Sequence, residues 1–473
     1  MNKKTIILGA GLAGLACADE LLRKAKGKQE VLVLEKNSYI GGLAATYKKD
    51  GFLFDLAPHR WFTKNEELNS WIDELMGDEM IEVKKYTPMY QFGKFFNYPI
   101  EVFDVLKKVN IIKTFMMLTT YLWARISKKV FKSKIITMRD AYINRFGYAL
   151  YKWFCEEYNQ KLWGEGGCEN MSADWVEQRT RDLSMITVIK NALGFGGKVV
   201  SLTPRFRFPR LGIGKITHNL EKRIKKNGGK VLKGVLIRKI IKEKSNYRVV
   251  TNKGEFTANN VISSVPLDEL VKLLEPKAPP AISGAADKLS YVHQKVVVLL
   301  ANKPKITSFT WVYIHPPQVK AFRFLETDNW SKAMSPKGKT SFVFEYPYQP
   351  GDKLEKISDK ALVEQTITDF IVHFSPETKK TDFIKGYVFS IKKAYPRYDL
   401  RYLQPLGKIK KYLKENFGNL QLIGRSGMFR YNNMDHSIFT GQLAARNIIE
   451  GKMVYDTGEV NEEAAYLEEK KIK

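Results

Sequence analysis

A strand, a glycine-spaced turn, a helix and a second strand ending on an acid open the chain, and they constrain its fold more than any other stretch. Thr5–Leu8 is apolar, Gly9-Ala10-Gly11-Leu12-Ala13-Gly14 follows, and an amphipathic helix runs on from it to a second apolar strand, Val31–Leu34, closed by Glu35. Gly9 permits a tight turn, Gly11 lets the backbone approach a pyrophosphate, and Gly14 lets the helix lie close on the strand. The helix N-terminus offers free N–H groups and a positive dipole end to phosphates. Glu35 sits where both ribose hydroxyls could donate to it, and where a 2′-phosphate would be repelled. Strand, helix, second strand and acid fall in one register, so an adenine dinucleotide is expected here.

At 473 residues and 44% hydrophobic content the chain can bury more than one core, so two or three lobes are expected. The glycine motif starts at residue 9, so the start of the chain is expected to be structural rather than a cleaved leader. Cys17, Cys155 and Cys168 form no CxxC and lack metal-ligand spacing, so no metal site is expected and a reducing cytoplasm is the inference. The net charge is +28. Its lysines are dispersed rather than gathered into a nucleic-acid-binding module, so nucleic acid is not an expected partner. Attraction to an anionic membrane surface or to a phosphorylated substrate stays open. Oligomeric state is not legible in the sequence.

Further along, Thr46–Asp55 reads as a hairpin around Asp50-Gly51 and leads to Ala57-Pro58-His59-Arg60-Trp61. Residues 101–200 are helical in pattern. Within them Ile111–Ala124 is the most apolar run, about 14 residues against the roughly 20 a membrane span needs. It is expected to be a buried core helix. A helix lying on a membrane is the alternative, supported by Arg125, Lys128, Lys129, Lys132 and Lys134 beyond it. Strand patterns follow at 228–232, 235–237, 247–251 and 261–266, then long alternating strands over 288–350 and a charged helix over about 359–373. A strand at 420–423, a glycine turn Gly424-Arg425-Ser426-Gly427 and a helix from Ser437 complete the pattern. No second GxGxxG is present, so no built-in NAD(P)H site is visible.

Glu35, Gly41-Gly42 and the GFLFD hairpin together resemble the FAD-binding segment of the protoporphyrinogen oxidase/amine oxidase superfamily, which also contains UDP-galactopyranose mutase. Similar blocks recur at Tyr158–Gly164, Ser172–Arg179, Phe206–Gly214, Lys393–Pro396 and Gly424–His436. The resemblance implies a mixed α/β fold: a discontinuous Rossmann-like FAD domain (1–75, 205–275, 415–455), an antiparallel-sheet substrate domain (76–100, 276–414), a helical lobe (101–204) and a charged tail (456–473). It implies that Gly9, Gly11, Leu12, Ala13, Gly14, Glu35 and Lys36 hold the ADP half of FAD. Gly41, Gly42 and Leu43 would line the pyrophosphate, and Val235 would touch the adenine. Gly424, Arg425, Met434 and Asp435 would cap the flavin end.

The activity it implies is FAD-dependent oxidation of a small molecule, with a hydride passing to flavin N5. His59 is the candidate proton acceptor, since an ordinary imidazole pKa of about 6.5 suits that task. Arg60, Asn159, Trp163, Arg179 and Tyr431 are the candidate substrate contacts. The last four also resemble the nucleotide-sugar site of the eukaryotic-type mutase, which contracts a UDP-sugar ring using reduced FAD. Three departures stand against that alternative. Ala57-Pro58-His59 replaces Gly-Gly-His, Tyr291–Leu300 lacks the mutase's second arginine, and Trp163 and Arg179 stand one residue further apart. Arg323, on Phe322–Leu325, is expected to be an exposed strand arginine, with a replacement for that missing cation as the alternative. A flavin-binding protein without turnover is a third reading.

Overall fold

The computed structural model describes residues 3–25, 27–98, 102–131, 134–176 and 205–460. The opening pattern forms as its periodicity dictates: Lys3–Leu8 and Gln29–Glu35 are parallel neighbours, Thr5 opposite Val31 and Leu8 opposite Leu34, with the helix Leu12–Lys24 between them in sequence. They are the middle of a five-stranded parallel sheet ordered Leu420–Leu422, Asn260–Ser263, Lys3–Leu8, Gln29–Glu35, Lys230–Lys233. Three widely separated stretches of chain therefore build one sheet.

Helices seal it. Met434–Glu450 crosses Leu12–Lys24 so closely that a Cβ on Gly441 would lie 2.1 Å from the Ala13 carbonyl. Asp19, fully buried on Leu12–Lys24, accepts from the Arg223 guanidinium and from the Trp71 indole at 3.1 Å, tying three helices together. Cys17 packs in the same interior.

A seven-stranded sheet faces this unit, ordered Phe383–Pro396, Tyr291–Ala301, Thr340–Tyr348, Arg323–Glu326, Trp311–Ile314, Met89–Gln91, Lys94–Phe96. Its strands pair antiparallel except Trp311–Ile314 with Met89–Gln91. The 14-residue strand Phe383–Pro396 is absent from the sequence reading, because its residues alternate only weakly between buried and exposed. The helix over 359–373 lies where expected, as Asp359–His373.

Two other boundaries differ. Val235-Leu236 precede the strand Ile237–Lys242 rather than forming it, and the C-terminal helix starts at Met434, capped by Asn433, not at Ser437. The expectation of a buried helix at Ile111–Ala124 is overturned. The helix runs Ile111–Phe131, buries Met117, Tyr121 and Ala124 on one side, and leaves the opposite side bare. Apolarity all round a helix cannot reveal that only one face finds a partner.

Candidate active site

A cavity of about 1210 Å³ separates the parallel sheet from the seven-stranded sheet and the helices between Met138 and Trp163. One end is lined by Gly9, Gly11, Leu12, Ala13, Glu35, Lys36, Gly41, Gly42, Leu43 and Val235, the expected dinucleotide residues. Two of the three motif glycines are demanded by the protein itself. A Cβ on Gly9, whose φ is +101°, would lie 2.2 Å from Ser264 Oγ, and one on Gly14 would lie 2.0 Å from the Gly9 carbonyl. Gly11 differs: the nearest atom to its would-be Cβ is the Gly41 carbonyl, 4.0 Å away, on the cavity side. The empty space there fits a group that approaches the backbone closely.

Glu35 does more than the sequence reading assigned to it. Its two oxygens accept from Ala10 N and Asn37 N, each at 2.8 Å, so the carboxylate holds the glycine loop in shape. Each oxygen keeps a lone pair for a hydroxyl donor. Across the cleft, Gly424 (φ +70°) sits 3.0 Å from Ala13 Cβ by its would-be Cβ, and its N–H donates to Thr440. Gly424, Arg425, Met434 and Asp435 all line the wall, the last two in the first turn of Met434–Glu450.

The GFLFD hairpin is anchored by a carboxyl. Asp50 and Gly51 take left-handed φ values of 48° and 83°, closing Thr46–Lys49 onto Phe52–Asp55. Asp55, at the hairpin's end, lies 2.5 Å from Thr46 Oγ1 and accepts from Ile213 N at 3.0 Å. Thr46 in turn accepts from Gly214 N. A Cβ on Gly214 would lie 2.5 Å from Thr46 N, which accounts for the glycine there. Burial raises the Asp55 pKa to about 7.

This joint aims the loop Ala57-Pro58-His59-Arg60 into the cavity. His59 arrives there, but not with an ordinary pKa. Burial, then the charges of Arg425 and Arg323, lower it to about 3. The ring is neutral at physiological pH, and its Nδ1 has no hydrogen-bond partner among the described residues. The expected base near pH 6.5 is corrected accordingly. Arg60 also lines the cavity, its guanidinium over the Phe62 ring at 5.0 Å.

The other end is aromatic. Tyr431 stacks on Tyr395 with centroids 5.3 Å apart and meets Trp175 edge-on at 4.3 Å. Arg425 lies over both tyrosines and donates to the Asn432 carbonyl at 2.9 Å and the Ala394 carbonyl at 3.3 Å. Its guanidinium thus fastens the Gly424–His436 block while showing one face to the cavity. Asn159 lines the wall, with its amide donating to the Cys155 carbonyl and accepting from the Trp163 indole. Trp163 itself is fully buried, edge-on to Trp175 and away from the cavity, so it positions Asn159 rather than touching substrate. Arg179 lies outside the described residues.

Several wall residues went unread in the sequence. Arg323, expected in solvent, makes a bidentate pair with Glu345 at 2.6 and 2.8 Å, and Glu345 is fully buried. Phe322 and His315 join it, the latter held to about 3 by burial and by Lys161 behind it. A π-helical turn, Lys152–Glu156, presents Phe154 and Cys155 to the same space. Only cross-strand pairing reveals Arg323 and Glu345 as partners, and local pattern carries none of it.

The sequence pattern of flavin-containing amine oxidoreductases matches residues 154–449, and that of an NAD(P)-binding Rossmann-like domain matches residues 7–75. The chain belongs to the flavin-containing amine oxidoreductase family. Its cofactor is FAD, and it is an FAD-dependent oxidoreductase. It is 21% identical to coproporphyrinogen III oxidase of Staphylococcus aureus over 95% of this chain and 99% of that one. In fold it is similar to reduced UDP-galactopyranose mutase, with TM-score 0.82 at 21% identity over 97% and 99% of the two chains. It is also similar to putrescine oxidase bound to putrescine, with TM-score 0.65 at 15% identity over 95% and 99%. The family resemblance drawn from the sequence is therefore correct, as is the mixed α/β class.

Proposed function

We propose that the chain oxidises a small molecule whose reacting part is uncharged and largely apolar, seated between Tyr395, Tyr431 and Trp175 and the flavin. When bound, FAD would supply the two-electron acceptor for the substrate's hydride. Gly11, Glu35, Gly41 and Gly42 would hold its ADP and pyrophosphate portions, and the first turn of Met434–Glu450 would face the pyrophosphate with its dipole.

The protein's own contribution is position, dryness and, at His59, His315 and the tyrosines, groups that carry no charge. The Arg323–Glu345 pair is the observation that carries this reading. Each charge is satisfied by the other, so neither is free to hold a substrate pyrophosphate. His59 and His315 are neutral, and burial pushes the Tyr158 and Tyr395 hydroxyls up, keeping them protonated. His59 Nδ1 offers a substrate one hydrogen bond without a charge. An aromatic wall excludes water, which would otherwise compete for that bond.

The test is anaerobic. Candidate substrates are mixed with the FAD-loaded protein, and bleaching of the flavin absorbance is followed. Bleaching by an oxidisable apolar substrate is expected, as is no conversion of UDP-galactopyranose by dithionite-reduced protein. Furanose formation under those reducing conditions would replace this reading with the mutase.

A further inference from the structure

We propose that the outer face of the helix Ile111–Phe131 docks on an anionic lipid surface. The inner face is fixed: Met117, Tyr121 and Ala124 are buried, and Gly147 lets the next helices approach so closely that its Cβ would lie 2.6 Å from Tyr121 N. The outer face is bare. Ile112, Phe115, Leu118, Leu122, Trp123 and Ile126 are each more than half exposed, Trp123 at 65%. Single exposed apolar residues are ordinary, but these recur at helical spacing and form one stripe along the helix. No helix among the described residues is long and apolar enough to cross a membrane, so the stripe suits a helix lying in the interface plane.

Charge selects the occupant. Between Val105 and Arg139 the chain carries nine lysines and arginines and no aspartate or glutamate. Four of these are engaged internally: Lys108 with Asp104, Lys113 over the Phe92 ring at 4.0 Å, Arg125 with the Arg145 carbonyl and Arg139 with Glu169. The remainder complements acidic headgroups, each cation near such a surface contributing about 1 kcal/mol. A second copy of the chain fits poorly, since a two-fold contact sets the same acid-free segment against itself.

The docked helix would lie close to the cavity. Met117 on its inner face packs in one cluster with Leu150 and Phe154, and both of those line the cavity wall. One layer of side chains thus separates the lipid-facing helix from the substrate compartment. The docking inference stands apart from the proposed reaction and survives its failure.

The FAD-loaded full chain is floated with phosphatidylcholine vesicles made with and without phosphatidylglycerol. Binding to the phosphatidylglycerol vesicles is expected, weakening in high salt and on phosphatidylcholine alone. Phe115→Asp and Trp123→Asp should each weaken partitioning about tenfold or more, from the burial lost, with the flavin spectrum unchanged. In Trp123→Phe, binding should persist while quenching by brominated lipid falls. Equal binding by wild type and Phe115→Asp would overturn the proposal. So would absence of vesicle binding in a chain that is dimeric and becomes monomeric on Phe115→Asp, which would assign the face to a second copy.

Discussion

Asp55→Asn tests the joint that aims the His59 loop. In the folded chain the carboxyl is buried, and burial raises its pKa from 3.8 to about 7 against the smaller opposing pull of Thr46 and Ile213. Its Oδ1 accepts from Thr46 Oγ1 and its Oδ2 from Ile213 N, two donors that do not offset the cost of burying a charge. Between about pH 4 and pH 7 the folded chain holds a proton that the unfolded chain has released. Stability from this group is therefore greatest below pH 4, falls as pH rises to about 7, and is flat above. At about 1.4 kcal/mol per pH unit, the span from pH 5 to pH 7 removes about 3 kcal/mol. Asparagine does not titrate, but its NH₂ must face one existing donor, losing a bond worth about 1–2 kcal/mol. Asp55→Asn should thus destabilise at pH 5 and be neutral or stabilising at pH 8. Urea midpoints of both proteins at pH 5, 6, 7 and 8, read by tryptophan fluorescence and flavin release, measure the gap directly. A gap that stays constant across that range would refute the buried neutral carboxyl.

Three other outcomes are expected. Gly14→Ala should cost about 3 kcal/mol or more, because its Cβ meets a carbonyl at 2.0 Å, whereas Gly11→Ala should leave the FAD-free melt nearly unchanged and weaken FAD binding about tenfold or more; titration and melts of both variants check this. Glu345→Gln strands Arg323 inside the protein and should cost about 3–5 kcal/mol in urea unfolding, much of it recovered in the double variant Arg323→Met/Glu345→Leu. Because the His59 pKa is lowered to about 3, the ring stays neutral above that pH, and His59→Asn should change the rate of flavin reduction by one constant factor from pH 5.5 to 8. A step near pH 6.5 that vanishes in His59→Asn would contradict the lowered pKa.

What was legible in the sequence was local. The unit from Gly9 to Glu35 is fixed by turn sterics and strand periodicity within one short stretch, and the Asp50-Gly51 hairpin and the helix Asp359–His373 follow from neighbours within a few residues. What failed was set by contacts across the chain. Arg323 looks exposed until Glu345 is placed opposite it on the next strand. Trp163 looks like a ligand residue until Trp175 and Asn159 enclose it. His59 has an ordinary imidazole pKa on paper, and only the assembled cavity, with Arg425 and Arg323 beside it, removes its proton. The helix Ile111–Phe131 shows the converse case, an apolar sequence whose outer face the fold leaves uncovered.

The order of strands in the parallel sheet has a consequence for how the protein is made. Its centre, Lys3–Leu8, leaves the ribosome about 400 residues before its edge strand Leu420–Leu422 and the helix Met434–Glu450. Until they arrive, the Ala13 side of the nucleotide helix has nothing to close against. Cofactor capture is thus expected to wait for these elements, and a product cut short before Leu420 should carry the whole glycine motif yet retain no flavin.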